Sequence, residues 1–169
     1  VNSPYDTNHI RDPLGVYGST KSSGEDAIEK VFSKSGQYVI LRTSWLLGPI
    51  GRNFITTMLK LHRSKNQIEV VYDQVGAPTS THSLANICWE LIMRCSKSSN
   101  NIILPSKLHW CESGTISWYD LASSIQDFVF QNEIFGNVAE IIPVLTSEYG
   151  SKVKRPKYSV LNCRETEEF

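Results

Sequence analysis

Apolar residues fall at helical spacing in four stretches of the chain and at strand-like density in four others, and the two kinds alternate. The first 12 residues, VNSPYDTNHIRD, are polar and without a period, and read as loop. From Ser19 to Lys34, Glu25, Ala27, Ile28, Val31 and Phe32 have the spacing of an amphipathic helix, with Pro13 pre-setting the backbone before it. Residues 37–47 (QYVILRTSWLL) contain a β-rich apolar run that reads as a buried parallel strand. After a turn at Gly48 to Gly51, Asn53 heads a helix reaching Leu61, and its amide suits an N-cap.

Ile68 to Tyr72 (IEVVY) reads as a short strand running into a tight loop, residues 73–79, whose path Gly76 and Pro78 constrain. Thr81 or Ser83 caps a helix from Leu84 to about Ser96, with Leu84, Ile87, Cys88, Leu91 and Ile92 on one face. SKSSNN is linker, and residues 101–111 give one or two strands interrupted by Pro105. Ser117 caps a helix from Trp118 to about Phe130, where Trp118 and Tyr119 read as packing residues, and residues 139–144 form a further strand. Helices alternating with strands predict an α/β protein with a doubly wound sheet.

The 169 residues are one domain's worth of chain, ordinary for a globular protein at 40% hydrophobic and 20% charged. Seventeen basic residues balance seventeen acidic ones, so no electrostatic footprint argues for nucleic acid or an anionic membrane. No apolar run approaches the ~20 residues of a membrane span and no signal-peptide pattern opens the chain, so the cytoplasm is the expected location. Cys88, Cys95, Cys111 and Cys163 form no Cys-x-x-Cys pair and read as reduced and mostly structural. His9, His62, His82 and His109 make no metal spacing, so no metal ligands are assigned.

The candidate chemistry lies at Tyr17 and Lys21. Four residues apart on a helix, they share a face. A nearby cation stabilises a phenolate, which suits a tyrosine to act as a general acid, while lysine has donors to spare for sugar hydroxyls. A bare Tyr-x-x-x-Lys arises by chance in roughly one chain of this size in three or four, so the pair alone is weak.

Its neighbours add weight. DPLGVYGSTKSSGE resembles the active-site helix of the extended short-chain dehydrogenase/reductases, and most of all the PLxxYGxTKxxGE pattern of the dTDP-4-dehydrorhamnose reductase family. Arg42-Thr43-Ser44-Trp45 is similar to that family's RTSW, residues 51–61 to GxNFxxxML, residues 73–79 to DQxGxPT, residues 116–122 to TTWYDLA, and residues 155–162 to RPxxSxLx. The motifs run from about Pro4 to Asn162 in family order; the one departure noted is Asn8, where an acid is usual, in a loop.

The resemblance implies the C-terminal part of a Rossmann-like fold. About residues 13–47 would hold the catalytic helix and the following strand, and about 48–169 a small, mostly substrate-binding α/β region. The chain has no glycine-rich pyrophosphate turn, begins at Val1 and opens inside a motif, so the N-terminal dinucleotide-binding half is expected to be absent from it. The implied activity of the parent enzyme is reduction of dTDP-4-dehydro-6-deoxy-L-mannose to dTDP-L-rhamnose with NADPH, or NADH as the alternative. By the same resemblance Tyr17 and Lys21 serve catalysis and cofactor binding, and Trp45, Asn53, Gln74 and Thr79 lie on the substrate side. Bland readings stand beside these: Trp45 as core, Asn53 as an N-cap, Gln74 and Thr79 as parts of a turn. The resemblance leaves Mg²⁺ possible for the family, without support in this chain. Two rival readings remain: another nucleotide-sugar epimerase or 4-keto reductase of the superfamily, and a non-catalytic subunit such as the regulatory subunit of methionine adenosyltransferase. By itself the chain is expected to be inert and, with an open sheet edge and an uncovered apolar face, to self-associate or form a homodimer.

Overall fold

The computed structural model describes residues 3–34, 38–97, 105–151 and 153–168. Helix α1 (Val16–Phe32) begins three residues before the predicted start, with Gly15 as an extended N-cap that accepts the Ser19 N–H at 3.0 Å. The predicted strand over 37–47 is two, β1 (Ile40–Thr43) and β2 (Leu46–Leu47); Gln37 lies outside the described residues. The break falls at Ser44 and Trp45 because Trp45 adopts a left-handed backbone, φ 43°, which no strand can contain.

Helix α2 (Phe54–Ser64) starts with a reciprocal cap: the Asn53 side chain accepts from the Thr56 N–H, and the Thr56 hydroxyl accepts from the Asn53 N–H. Strand β3 (Gln67–Val71) follows. Residues 73–79, predicted as loop, contain the short strands β4 (Val75–Gly76) and β5 (Thr79–Ser80). Helix α3 (Thr81–Lys97) starts three residues before Leu84, and neither Thr81 nor Ser83 caps it; the Ser80 hydroxyl accepts from the N–H groups of His82 and Ser83. Strand β6 (Lys107–Trp110) begins after Pro105; residues 101–104 of the predicted strand lie outside the described residues. Strand β7 (Ile116–Ser117) leads into α4 (Trp118–Gln131), whose Ser117 cap is as predicted and is closed by Asp120. Strand β8 (Glu140–Val144) and a single-turn helix α5 (Arg164–Glu167), too short to show a sequence period, complete the chain.

The α/β class is as predicted, but the sheet is divided. Among the described residues the strands pair two by two: β1–β6, β2–β5 and β3–β8 in parallel, β4–β7 antiparallel. The main core lies where α2 and α4 cover β3 and β8, with Met58, Ile68, Val70, Ala122, Val129 and Ile141 at its centre. Strand β3 reaches it by alternation, Ile68 and Val70 turning inward and Gln67 and Glu69 outward. Pro143 is tolerated in β8 because the Glu140 N–H points at β3 and donates to the Asn66 carbonyl; the two-residue alternation turns position 143 to the open edge, where no donor is required.

A smaller cluster of Ala77, Cys111 and Cys163 packs under the 73–79 segment. The two sulfurs are 3.4 Å apart, and this shared hydrogen bond lowers the pKa of Cys111 while it raises that of Cys163.

His62 and His109 are each 1% exposed. Burial lowers the pKa of both, and at His109 the Arg42 charge adds to it, so both are held neutral. Neither ring nitrogen of His62 has a hydrogen-bond partner among the described residues. The unfolded chain binds protons at these sites below about pH 6.5 and the folded chain resists, so stability is full above that value and falls as pH drops through it. Urea titrations at a series of pH values are expected to show this loss, and His62→Leu to shrink it; an unchanged slope in that variant would assign the loss elsewhere.

Candidate active site

Helix α1 presents Tyr17 and Lys21 on one side, with the Lys21 Nζ 5.6 Å from the Tyr17 ring centroid and Tyr17 77% exposed. Its attachment reverses the usual logic of an amphipathic helix. No residue of α1 is buried, and the apolar positions Ile28, Val31 and Phe32 of the predicted stripe are exposed. The residues turned towards the rest of the chain are Ser22, Glu25 and Glu29, three and four positions apart. Glu25 receives the Arg42 guanidinium through two bonds, Nε to Oε1 at 2.8 Å and Nη2 to Oε2 at 2.6 Å, and Arg11 adds a third at 3.2 Å. Arg11 also donates to the Ser22 carbonyl at 2.9 Å and pairs with Asp26, and Lys107 reaches Glu29 at 2.7 Å. The hydrogen bond from Arg42, joined by the charges of Arg42, Arg11 and Lys107, holds the Glu25 carboxyl below the usual range against the opposing effect of burial.

The end of β1 enters a second cluster. Thr43 donates to the Thr79 hydroxyl at 3.0 Å, Ser44 to the Ala77 carbonyl at 2.6 Å, and the Thr79 N–H to the Trp45 carbonyl at 3.1 Å, so the 42–45 and 73–79 segments run side by side. The β4–β7 pair brings the start of α4 to the same place, and Val75 exchanges backbone bonds with Lys157 and Ser159 at 2.8 Å each. Trp45 lies at the centre. Its indole stacks on Trp118, ring centroids 3.7 Å apart and planes 11° from parallel, and Phe54 lies 4.6 Å from Trp118. A bulky residue in the left-handed region costs about 1–2 kcal/mol, and an aromatic stack of this kind returns about 0.5–1.5 kcal/mol.

The other substrate-side candidates are engaged with protein groups. The Asn53 amide caps α2 and donates to the Gly48 carbonyl at 2.7 Å. Gln74 is 5% exposed and donates to the Thr146 hydroxyl at 3.0 Å, while Thr79 is fully buried against Thr43. Beside Gln74, burial alone would raise Asp73, but the hydroxyl and N–H of Thr146 together with Lys157 outweigh it and hold the carboxyl low. The structure therefore gathers Trp45, Gln74 and Thr79 into one cluster, with Asn53 at the start of the helix whose Phe54 flanks it. Tyr17 and Lys21 stand apart, joined to that cluster through Glu25, Arg42 and β1. Trp118, read from sequence as packing, is part of the cluster; the signal for it was its position one residue after the Ser117 cap. Lys154 and Arg155 are exposed. Among the described residues no group of three or more His, Cys, Asp or Glu side chains could hold a metal, and no helix is long and apolar enough to cross a membrane.

Parallel ladders, a Tyr-x-x-x-Lys helix and a side-chain cluster at the carboxyl end of β1 are consistent with a part of a Rossmann-like fold. The model of the RmlD substrate binding domain family matches residues 1–169, and the chain belongs to that family. It is 39% identical over 165 residues to a spore coat polysaccharide biosynthesis protein of Bacillus subtilis, covering 98% of this chain and 52% of that protein. The crystal structure of a dTDP-4-dehydrorhamnose reductase from Clostridium acetobutylicum superposes with a TM-score of 0.82 at 33% identity, over 99% of this chain and 54% of the other. One from Bacillus anthracis, in complex with NADP, gives 0.76 at 33% identity, over 95% and 50%. The chain thus spans about half the length of the curated relatives it matches, as the C-terminal part of a Rossmann-like fold would.

Glu25 is expected to secure α1. Glu25→Gln should loosen the helix by about 2 kcal/mol, read as roughly thirtyfold faster amide exchange along α1 with β3 and β8 unaffected. Asp26→Asn, which touches only the more exposed Arg11 pair, should change exchange by less than about threefold.

Proposed function

We propose that this chain is the substrate-side part of an NADP(H)-dependent reductase that converts dTDP-4-dehydro-6-deoxy-L-mannose to dTDP-L-rhamnose. The observation that carries the reading is the match along the whole chain to reductases of that activity, with Tyr17 and Lys21 in place on one face of α1. In this reading Tyr17 gives its phenolic proton to the alkoxide that forms at the sugar's C4. Lys21 stabilises the resulting phenolate and donates to the nicotinamide ribose. Trp45 seats the deoxysugar, its apolar ring against C–H groups. Asn53, Gln74 and Thr79, whose polar groups are engaged with protein, hold the segments that surround Trp45 rather than reaching the sugar themselves.

The residues present fit one end of a dinucleotide. Tyr17 and Lys21 lie on an exposed helix face suited to ribose and nicotinamide, but no glycine-rich turn is available for the pyrophosphate. When bound, NADPH supplies the hydride. On this reading the 169 residues alone bind no NADPH above background in isothermal titration, and a micromolar site would count against the division of labour proposed here. The exposed α1 stripe is where further parts of the enzyme, or a second copy, cover the helix. The cytoplasm is the expected place of work.

The activity is tested on the full-length protein carrying this chain, by following nicotinamide absorbance with the keto-sugar nucleotide. Tyr17→Phe is expected to lower turnover by roughly 10²–10⁴-fold while leaving NADPH binding within a few-fold. A wild type that binds NADPH tightly and turns over none of this sugar would shift the reading to another nucleotide-sugar or to a regulatory subunit.

A further inference from the structure

We infer that Trp118 is a positioning residue for the substrate: stacked face to face on Trp45, it sets the plane of the indole on which the sugar rests. The inference depends on the reading that Trp45 contacts the substrate, and extends it to a residue on a different element.

Four observations converge. Trp45 has a left-handed backbone, a state that a bulky side chain keeps only where its surroundings over-determine it. One flank of its ring is held by Trp118 at 3.7 Å and 11°. Gly76 presses on it as well: a Cβ at that position would stand 2.6 Å from the Trp45 Cε2 and 2.8 Å from Cζ2, so only a glycine lets the indole lie where it does. Trp118 is itself immobilised. It is the first residue of α4, directly after a Ser117 cap closed in both directions by Asp120, and Ser117 pairs in register with Val75, next to Gly76. The same two-strand ladder therefore delivers two residues that touch the Trp45 ring.

The chemistry left over points outward. Both indoles are only half buried, and neither N–H has a hydrogen-bond partner among the described residues, whereas the Trp110 N–H donates to the Ser83 hydroxyl. A tryptophan used only as core filling needs no strained partner and is normally satisfied when buried. A stacked pair with free donors offers an apolar plate with a polar rim, which matches a deoxysugar with its ring hydroxyls and methyl group.

The test is steady-state kinetics of the full-length protein with the keto-sugar nucleotide, together with far-ultraviolet circular dichroism, where the strong indole transitions of a stacked pair couple. Trp118→Leu is expected to abolish that couplet and raise the sugar KM about tenfold or more, with kcat and the NADPH KM within about threefold. Trp118→Phe, which restores a flat ring, should return the sugar KM to within about threefold of wild type. Gly76→Ala, whose Cβ would meet the Trp45 ring and the Ser159 hydroxyl, should raise the sugar KM without a change at Trp118 itself, and Ser159→Ala, which removes only the hydroxyl, should not raise it. If Trp118→Leu fails to fold, the Gly76→Ala and Trp118→Phe values decide. An active wild type whose sugar KM is indifferent to Trp118→Leu and Gly76→Ala overturns the inference alone, as does a parallel loss in kcat and NADPH KM. A wild type that shows the couplet but neither binds nor reduces the nucleotide-sugar overturns the functional reading and this inference with it.

Discussion

The bidentate pair between Glu25 and Arg42 is the contact on which the arrangement of the chemistry depends. No residue of helix α1 is fully buried, so its polar contacts carry much of its orientation. Arg42 sits in β1, three residues before Trp45, and its second amino group also donates to the Thr7 carbonyl at 3.1 Å. One guanidinium thus connects the helix carrying Tyr17 and Lys21, the amino-terminal segment, and the strand that leads to Trp45. Arginine suits this place because its fork meets a carboxylate with two parallel bonds, which fixes direction as well as distance. Glu25 and Arg42 side chains are 16% and 19% exposed, dry enough for the pair to count and wet enough to spare it the full penalty of burial.

A different kind of constraint governs the cluster at Trp45. There the backbone is strained, and the strain is balanced by ring stacking, by a glycine that leaves room, and by hydrogen bonds from the 73–79 segment on both sides of the peptide. Segments from five separate parts of the chain meet at this point. Polar groups that a reading by motif would hand to a ligand, on Asn53, Gln74 and Thr79, are occupied in holding those segments together. The two tryptophans at the centre are half-buried, and neither indole N–H has a hydrogen-bond partner among the described residues.

The apolar stripe of α1 is exposed and the described strands pair only two by two, in a chain that matches about half the length of its relatives. The main core between α2, α4, β3 and β8 does not draw on α1, since its contacts are made within residues 54–144.

Local rules were enough for much of this molecule. The periods of residues 19–34, 53–61 and 118–130 determined three helices, Ser117 and Asn53 announced their caps through side-chain chemistry, and IEVVY read as a short strand. Spacing also placed Tyr17 and Lys21 on one helix face, and the ordered motifs indicated the family. What the tertiary structure alone decided was of longer range. A positive φ at Trp45 depends on Trp118, 73 residues away, and cannot be read from a run of apolar residues that otherwise favours a continuous strand. The Ser80 cap was hidden because two better-placed hydroxyls follow it, and the short strands β4, β5 and β7 exist only by virtue of their partners. Most of all, periodicity tells which face of α1 is apolar but not which face the chain will use. That was settled by Arg42, Arg11 and Lys107, whose charges hold the polar edge of the helix and leave its apolar stripe turned outward.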